Sequence, residues 1–253
     1  MTMPASLPLP TPRPSATLLL LREHSGRLEV LLQRRAATLT FGDHWVYPGG
    51  VVEPRDGDFA REPLAALRRA AVRECLEEAG VRLQAVTDGE GLIGWSRWIT
   101  PEGRGRRFDT WFFAAALPPG QVVVGDACET TESRWLEPQA AIEAAAGGHM
   151  LLMPPTRLTL LDLQISYARH GSLVRLFEVE RSRPIVPILP RLSGPAEARI
   201  SVYPWDPEYD SLPGEGWPLS APPPEHLRRL PSRLALGAGA ATPRSARPRP
   251  GRS

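Results

Sequence analysis

The chain contains the segment Arg73-Glu74-Cys75-Leu76-Glu77-Glu78-Ala79-Gly80-Val81 and, upstream of it, Tyr47-Pro48-Gly49-Gly50. If the first segment is helical, Glu74 and Glu78 lie one turn apart with Glu77 beside them, so three carboxylates crowd one face. Like charges at this spacing repel each other by roughly 0.2–0.5 kcal/mol per pair in an isolated helix. A bound hard cation such as Mg2+ would turn that repulsion into coordination. The alternative is an acidic helix face that is simply exposed to water.

Apolar residues around this segment recur at helical spacing and predict a long α-helix from about Pro63 to Ala79. Proline is favourable in the first turn of a helix, and Gly80 supplies a stop at the other end. The predicted buried face carries Val72, Cys75, Leu76 and Ala79. We expect the acidic residues to lie on the opposite face and to point outward.

Apolar and β-branched runs elsewhere predict a mixture of strands and helices. Strands are expected at residues 15–22, 28–35, 45–47, 91–100, 108–116 and 132–136, and helices at 138–146 and 156–170. Residues 51–59 are expected to form a loop because they contain proline, aspartate and glycine. Since strands and helices do not alternate strictly, the predicted fold class is α+β with a mixed β-sheet.

The composition argues against several classes of protein. The two cysteines do not make a disulfide framework, which favours a reducing, cytoplasmic location. No apolar run reaches the ~20 residues of a membrane span, and the proline-rich start lacks the features of a secretory signal, so no membrane partner is expected. A net charge of +2 gives no argument for nucleic-acid binding.

The two opening segments together resemble a known family signature. Gly50, five further residues, Asp56 and then Arg73 to Val81 are similar to the Nudix box, Gly-x5-Glu-x7-Arg-Glu-U-x-Glu-Glu-x-Gly-U, in which U is apolar. The second half matches at each fixed position when Cys75 is counted as apolar. The first half departs twice: its acid is Asp56 instead of glutamate, and sixteen residues instead of seven separate it from Arg73. A longer loop can absorb the insertion, because the cost of loop closure grows slowly with length.

Flanking segments resemble one branch of this superfamily, the coenzyme A diphosphatases and related peroxisomal-type Nudix enzymes. The matching segments are Leu31-Leu32-Gln33-Arg34-Arg35, Trp45-Val46-Tyr47-Pro48-Gly49-Gly50, Trp98-Ile99-Thr100-Pro101 and Arg106-Arg107-Phe108-Asp109-Thr110-Trp111-Phe112-Phe113. The coenzyme A signature is incomplete, since Gln33 replaces a threonine and Thr40 stands at an expected arginine. The resemblance implies a Nudix-type α/β/α sandwich with a mixed sheet.

The resemblance also implies the chemistry of the acidic helix. Family members hydrolyse a nucleoside diphosphate linked to another group, with Mg2+ or Mn2+ between the protein and the diphosphate. By this analogy Glu74 and Glu78 are metal ligands, together with the backbone carbonyl of Gly50. Glu77 is either a ligand of a second ion or the base that deprotonates water. Arg73 orients a carboxylate, and its position one turn before Glu77 predicts a pair between them.

Four further residues are candidates for the site. Family members often take another acid from a later loop, for which Glu129 and Glu132 are available and Glu129 is preferred. Arg34 and Arg35 end the predicted second strand and could bind substrate phosphate. The alternative is that these two arginines face only water, as arginines on edge strands often do.

The function that follows from this resemblance is a metal-dependent diphosphatase acting on a small nucleotide substrate, coenzyme A or an acyl-coenzyme A. Two alternatives stay open: hydrolysis of another dinucleotide such as ADP-ribose or NADH, and a ligand sensor of the same fold without turnover. A homodimer is compatible with the sequence, which does not determine the oligomeric state.

The chain is expected to divide into four parts. These are a flexible N-terminus (1–14), a Nudix hydrolase domain (15–180), a proline-rich C-terminal extension packed on that domain (181–233) and a disordered tail (234–253). Within the extension, residues 185–192 and 198–203 are expected to form an extended pair, and the extension could cap the site.

Overall fold

The computed structural model describes residues 10–39, 41–83, 91–103, 105–125, 129–216 and 222–236. The strands in these ranges are β1 (Arg13–His24), β2 (Arg27–Arg35), β3 (His44–Val46), β4 (Gly49–Val51), β5 (Ile93–Ile99), β6 (Phe108–Ala116), β7 (Thr130–Leu136), β8 (Leu151–Leu152), β9 (Pro187–Ile188), β10 (Arg191–Ser193), β11 (Ile200–Val202) and β12 (Arg233–Ala235). The α-helices are α1 (Pro63–Ala79), α2 (Pro138–Ala146), α3 (Pro154–His170), α4 (Leu173–Glu180) and α5 (Glu225–Arg228).

Strand β1 is the axis of the main sheet. It pairs in parallel with β6, from Arg13 opposite Phe108 to the other end of β6. On its other edge, β4 pairs antiparallel with the beginning of β1, where Ala16 lies opposite Gly50, and β2 pairs antiparallel with its end. The strand order is β8-β3-β2-β1-β6-β5-β9, with β4 attached to β1 and β7 attached to β2. The glycine pair is thereby brought against the central strand.

Helices cover both faces of this sheet. Alternate side chains of β1 point to opposite faces, so Leu18 and Leu19 belong to different cores. Leu18 packs with Leu67 and Cys75 of α1, whereas Leu19 packs in a second core with residues of α3 such as Leu160. The predicted α+β class and the α/β/α sandwich with a mixed sheet are therefore confirmed.

Helix α1 has the predicted bounds, but its predicted faces are partly wrong. It ends at Gly80, which takes φ 68° and donates its N–H to the Leu76 carbonyl at 3.0 Å. Leu76, expected to be buried, is 39% exposed, and Glu78, expected to point outward, is only 4% exposed. The buried face of α1 includes Glu78 because the backbone N–H of Gly49 in β4 donates a hydrogen bond to its carboxylate.

Two predicted boundaries also shift. The sheet begins at Arg13, so the last two residues of the segment predicted for 1–14 lie in β1, and residues 1–9 lie outside the described ranges. Leu234 and Ala235 lie in β12, so the segment predicted as the tail 234–253 starts with ordered chain; residues 237–253 are again outside the described ranges.

The residues after α4 pack against the main sheet. β9 pairs in parallel with β5, with Trp98 opposite Ile188. The predicted extended pair of 185–192 with 198–203 is present only in part, because just the last two residues of the first segment lie in β10, which pairs antiparallel with β11; β12 adds a third strand. Tyr203, which follows β11, meets Trp98 edge-on with ring centroids 5.7 Å apart and stacks on Trp205 at 5.0 Å. Within the described ranges, no helix is both long and apolar enough to cross a membrane.

Candidate active site

The acidic end of α1 lies directly against the glycine pair of β4. The Gly49 N–H donates to a Glu78 carboxylate oxygen at 2.9 Å. Gly50 must be glycine for Glu74 to approach, because a Cβ at Gly50 would lie 2.1 Å from Oε1 of Glu74. The structure thus brings together Glu74, Glu78 and the backbone of Gly50, the three groups predicted as metal ligands.

Arg73 holds the carboxylates of this region in place. Its Nη1 donates to Glu74 at 2.8 Å and to Glu77 at 2.9 Å, so the pair predicted from the one-turn spacing is present. Its Nη2 also donates to the Val51 carbonyl at 3.0 Å. The guanidinium is largely buried, and its hydrogen bonds to Asp56 contribute most to a pKa raised above its usual range. Arg73 therefore contacts the carboxylates that the sequence predicted it to orient.

Asp56 is the strongest partner of Arg73. Both of its carboxylate oxygens accept from Arg73, each at 2.9 Å, and Oδ2 also accepts the Glu53 N–H at 2.8 Å. The residue is only 3% exposed. Although burial raises the pKa of Asp56, the hydrogen bonds from Arg73 and from the Glu53 N–H outweigh it, so that the pKa is lowered. Aspartate stands here instead of the glutamate of the family pattern, and it still forms an ion pair with Arg73.

The electrostatics of the buried carboxylates favour a cation. Burial, together with the charges of Glu74 and Glu129, raises the pKa of Glu78 to about 7, against the lowering effect of the Gly49 N–H. Burial also raises the pKa of Glu74. Excess negative charge on hard oxygen donors is the chemistry that Mg2+ and Mn2+ require.

The oxygen donors of Glu74, Glu78 and Gly50 suit a divalent ion by their chemistry, but they are not preorganised around one position. Within the described ranges, no three His, Cys, Asp or Glu side chains are arranged as a metal-binding cluster. Glu74 and Glu77 are paired with Arg73, and Arg55 adds a contact to Glu77 at 3.1 Å.

The two later acids are placed differently. The charge of Glu129 acts on both Glu74 and Glu78, and its carboxylate lies 4.0 Å from Arg35. Glu132 instead pairs with its neighbour Arg134 at 2.5 Å. The geometry brings Glu129 to the acidic helix, in line with the preference given to it.

The two candidate arginines also separate. Arg35 lines a cleft of about 450 Å3 that includes Gly49 and Gly50 in its wall. Arg34 does not line this cleft, and it pairs with Asp43 at 2.8 Å on the surface. The pairing of β2 with β7 shifts its register between Arg34 and Arg35, so the regular alternation of side chains along β2 is interrupted at these two residues.

The cleft lies on the face of the sheet opposite α1 and is mostly apolar away from the glycines. Its floor carries Ser15 of β1 and Thr110 of β6, whose hydroxyls are 2.7 Å apart, and Trp98 of β5. Its walls include Phe41, Met153, Pro154, Pro155, Pro190, Leu192, Ser201 and Leu236. Half of these wall residues come from the C-terminal part of the chain.

Sequence reasoning missed two features of this site. The wall residues Leu192 and Leu236 carry no local motif, and only the packing of the C-terminal strands on the sheet brings them to the cleft. Gln33, noted only as a replaced threonine, is fully buried and donates to the Glu78 carbonyl at 2.8 Å. It thereby fixes the end of α1 to β2, and a buried amide in an otherwise apolar strand was the available signal.

Comparison with known proteins agrees with the geometry. A family model described as the NUDIX domain matches residues 11–153, which is more than half of the chain. A solved Nudix hydrolase from Alicyclobacillus acidocaldarius superposes with a TM-score of 0.53 at 23% identity, over 61% of this chain and 92% of that one. This structural likeness concerns the fold.

Curated relatives match parts of the chain. The nudix hydrolase 7 of Caenorhabditis elegans is 28% identical over 175 residues, covering 56% of this chain and 57% of that protein. The human acyl-coenzyme A diphosphatase NUDT19 is 33% identical over 111 residues, covering 43% of this chain and 28% of that protein. The matched region thus spans 57% and 28% of the lengths of these two curated relatives.

Proposed function

Since the chain belongs to the Nudix hydrolase family, we propose that it is a metal-dependent diphosphatase that cleaves a nucleoside diphosphate linked to another group. One observation carries the proposal: Glu74 and Glu78 lie against the Gly49-Gly50 backbone, and the same two glycines line a cleft of about 450 Å3, which is large enough for a nucleotide. A sensor without turnover would not need Arg73 to hold Glu77 as well as Glu74.

Each group at the site has a proposed role. Glu74, Glu78 and the Gly50 carbonyl would hold Mg2+ or Mn2+. The ion, when bound, supplies charge neutralisation for the diphosphate and lowers the pKa of a coordinated water. Glu77 is 41% exposed beside Arg73, so its carboxylate is accessible to accept a proton from the attacking water. Glu129 would add a further negative charge beside Glu74 and Glu78.

We further propose that the substrate is coenzyme A or an acyl-coenzyme A. The similarity to acyl-coenzyme A diphosphatases supports this, as does the apolar character of the cleft beyond the glycines, which suits a long and weakly polar substituent. The position of Arg35 in the cleft wall supports a phosphate-binding role for it, whereas Arg34 lies outside that wall. We propose that residues 15–180 form the hydrolase domain and that 181–233 form an extension closing one side of the cleft.

A substrate panel tests the proposal. Coenzyme A, an acyl-coenzyme A, ADP-ribose and NADH are incubated with Mg2+ or Mn2+, and the products are separated by chromatography. Cleavage of the diphosphate of either coenzyme A species is the expected result. Turnover of ADP-ribose or NADH alone would refute the choice of substrate, and turnover of none would refute the enzymatic proposal.

The variant Glu77→Gln tests the assignment of the base. Loss of the carboxylate is expected to lower kcat by about 100-fold or more, with little change in thermal stability because Glu77 is partly exposed. Glu132→Gln is the matched control, since Glu132 has a similar side-chain exposure but lies in β7 and pairs with Arg134 instead of Arg73. Equal rates for the two variants would contradict the role of Glu77.

A further inference from the structure

Two arginines that are not part of the acidic helix line the cleft. Arg13 begins β1 and Arg106 precedes β6, and both line the cleft. Because β1 and β6 are neighbouring parallel strands with Arg13 opposite Phe108, the two arginines lie at the same end of these strands. Every second residue along these strands faces the cleft: Arg13, Ser15 and Thr17 on one strand, and Arg106, Phe108 and Thr110 on the other.

Arg107, which follows Arg106, has a structural role at this end of the strands. Arg107 points away from the cleft and is only 3% exposed. It donates to the carbonyls of Thr100 at 3.0 Å and Pro10 at 3.3 Å, and it pairs with Glu215. All of its charge is thus satisfied by the protein.

Arg13 and Arg106 lack such partners. Both are exposed, and within the described ranges neither side chain makes an ion pair or a hydrogen bond. Two adjacent like charges without a carboxylate between them repel each other, so the pair is not explained by stability. A ligand with concentrated negative charge would reverse that balance.

The position of the pair separates it from the diphosphate site. Gly50 lies opposite Ala16 on β1, three residues beyond Arg13. At a rise of about 3.3 Å per residue, the two points are about 10 Å apart along the strand. A nucleotide whose diphosphate lies at the acidic helix would therefore meet the arginines with a different part of its structure.

We propose that Arg13 and Arg106 form a subsite for a phosphomonoester carried by the nucleotide half of the substrate. The inference rests on the proposed diphosphatase function and deepens it. A phosphomonoester brings close to two negative charges and three acceptor oxygens, which two planar guanidinium groups bind with paired hydrogen bonds. Coenzyme A carries such a group on its ribose, and ADP-ribose and NADH do not. The subsite therefore selects the ribose-phosphorylated substrate.

The test compares coenzyme A with dephospho-coenzyme A, which differ only in this phosphate. The wild-type protein should prefer coenzyme A by about tenfold or more in kcat/KM. In the double variant R13Q/R106Q this ratio should fall to about one. The control R61Q removes an exposed arginine before α1, outside the cleft, and should keep the wild-type ratio. An equal loss for both substrates in R13Q/R106Q would overturn the proposal, because the arginines would then contact a part that the substrates share.

A binding measurement separates this proposal from the proposed function. Calorimetry without metal compares adenosine 3′,5′-bisphosphate, adenosine monophosphate and inorganic phosphate. The bisphosphate should bind the wild-type protein at least tenfold more tightly than either of the others, less so at high salt, and R13Q/R106Q should lose this advantage. This result would support the subsite even if no coenzyme A species were hydrolysed. Equal affinities for the two nucleotides, or phosphate binding as tightly as the bisphosphate, would overturn it.

Discussion

Replacement of Asp56 by alanine should reveal how the acidic helix is held. The carboxylate accepts two hydrogen bonds from Arg73, each at 2.9 Å, and one from the Glu53 N–H at 2.8 Å. The side chains of Asp56 and Arg73 are 3% and 12% exposed, so water cannot replace what is lost. The variant would leave the largely buried guanidinium without two of its five hydrogen bonds and the Glu53 N–H without its carboxylate acceptor.

The size of the effect follows from these contacts. Breaking a buried ion pair by removing one partner costs about 3–5 kcal/mol. Arg73 retains Glu74, Glu77 and the Val51 carbonyl, which compensates part of its charge. We therefore expect the free energy of unfolding to fall by about 2–4 kcal/mol. For a chain of this size the thermal midpoint would drop by roughly 5–15 °C.

Urea denaturation at neutral pH measures this difference directly, provided that the slope of the transition is unchanged. Asp58→Ala is the matched control, because Asp58 lies two residues away, is exposed, and accepts only backbone N–H groups of its own turn. It should cost less than about 1 kcal/mol. Asp56→Glu keeps the charge but adds a methylene to a packed site, with an expected cost of about 1–3 kcal/mol. An Asp56→Ala variant as stable as Asp58→Ala would refute the role assigned to the pair.

Three further predictions concern the glycine pair, the ion pair between Asp206 and Arg233 in the C-terminal part of the chain, and the cleft wall. Gly50→Ala should strongly reduce activity without lowering expression, because the new Cβ would lie 2.1 Å from Oε1 of Glu74 and would push that carboxylate away. An unchanged kcat/KM would contradict the proposed site. Asp206→Asn should destabilise the protein above pH 4 and progressively less below it. The hydrogen bond from Arg233 outweighs burial and lowers the pKa of Asp206 below 3.8, so its stabilisation is lost as pH falls, and pH-dependent unfolding checks this. Leu192→Asp should raise KM more for a long-chain acyl-coenzyme A than for coenzyme A, and equal changes would exclude Leu192 from the acyl-binding wall.

The parts of the site that could be predicted are those governed by local spacing. The bounds of α1 follow from apolar periodicity and from the left-handed conformation that Gly80 accepts. The pair between Arg73 and Glu77 follows from one helical turn. These contacts form within a few residues, so the sequence around them contains the necessary information.

Other parts depend on segments that meet only in the folded chain. Glu78 is buried because β4 places the Gly49 N–H opposite it, which no helical pattern can indicate. The contribution of Leu192 to the cleft depends on β9 pairing with β5, two strands separated by most of the domain. Periodicity identifies which residues avoid water, whereas it does not identify the segment that covers them.

The long insertion in the Nudix box shows which feature of that motif the fold requires. Lengthening the loop before Arg73 from seven to sixteen residues adds about 0.7 kcal/mol of closure entropy. The ion pair between Asp56 and Arg73 is expected to stabilise the fold by several times that amount, and it forms across the whole insertion. The loop can therefore vary in length as long as Asp56 still contacts Arg73. Because Arg73 also holds Glu74 and Glu77, the geometry of these carboxylates depends on the contact between Asp56 and Arg73 and not on the number of residues between the two.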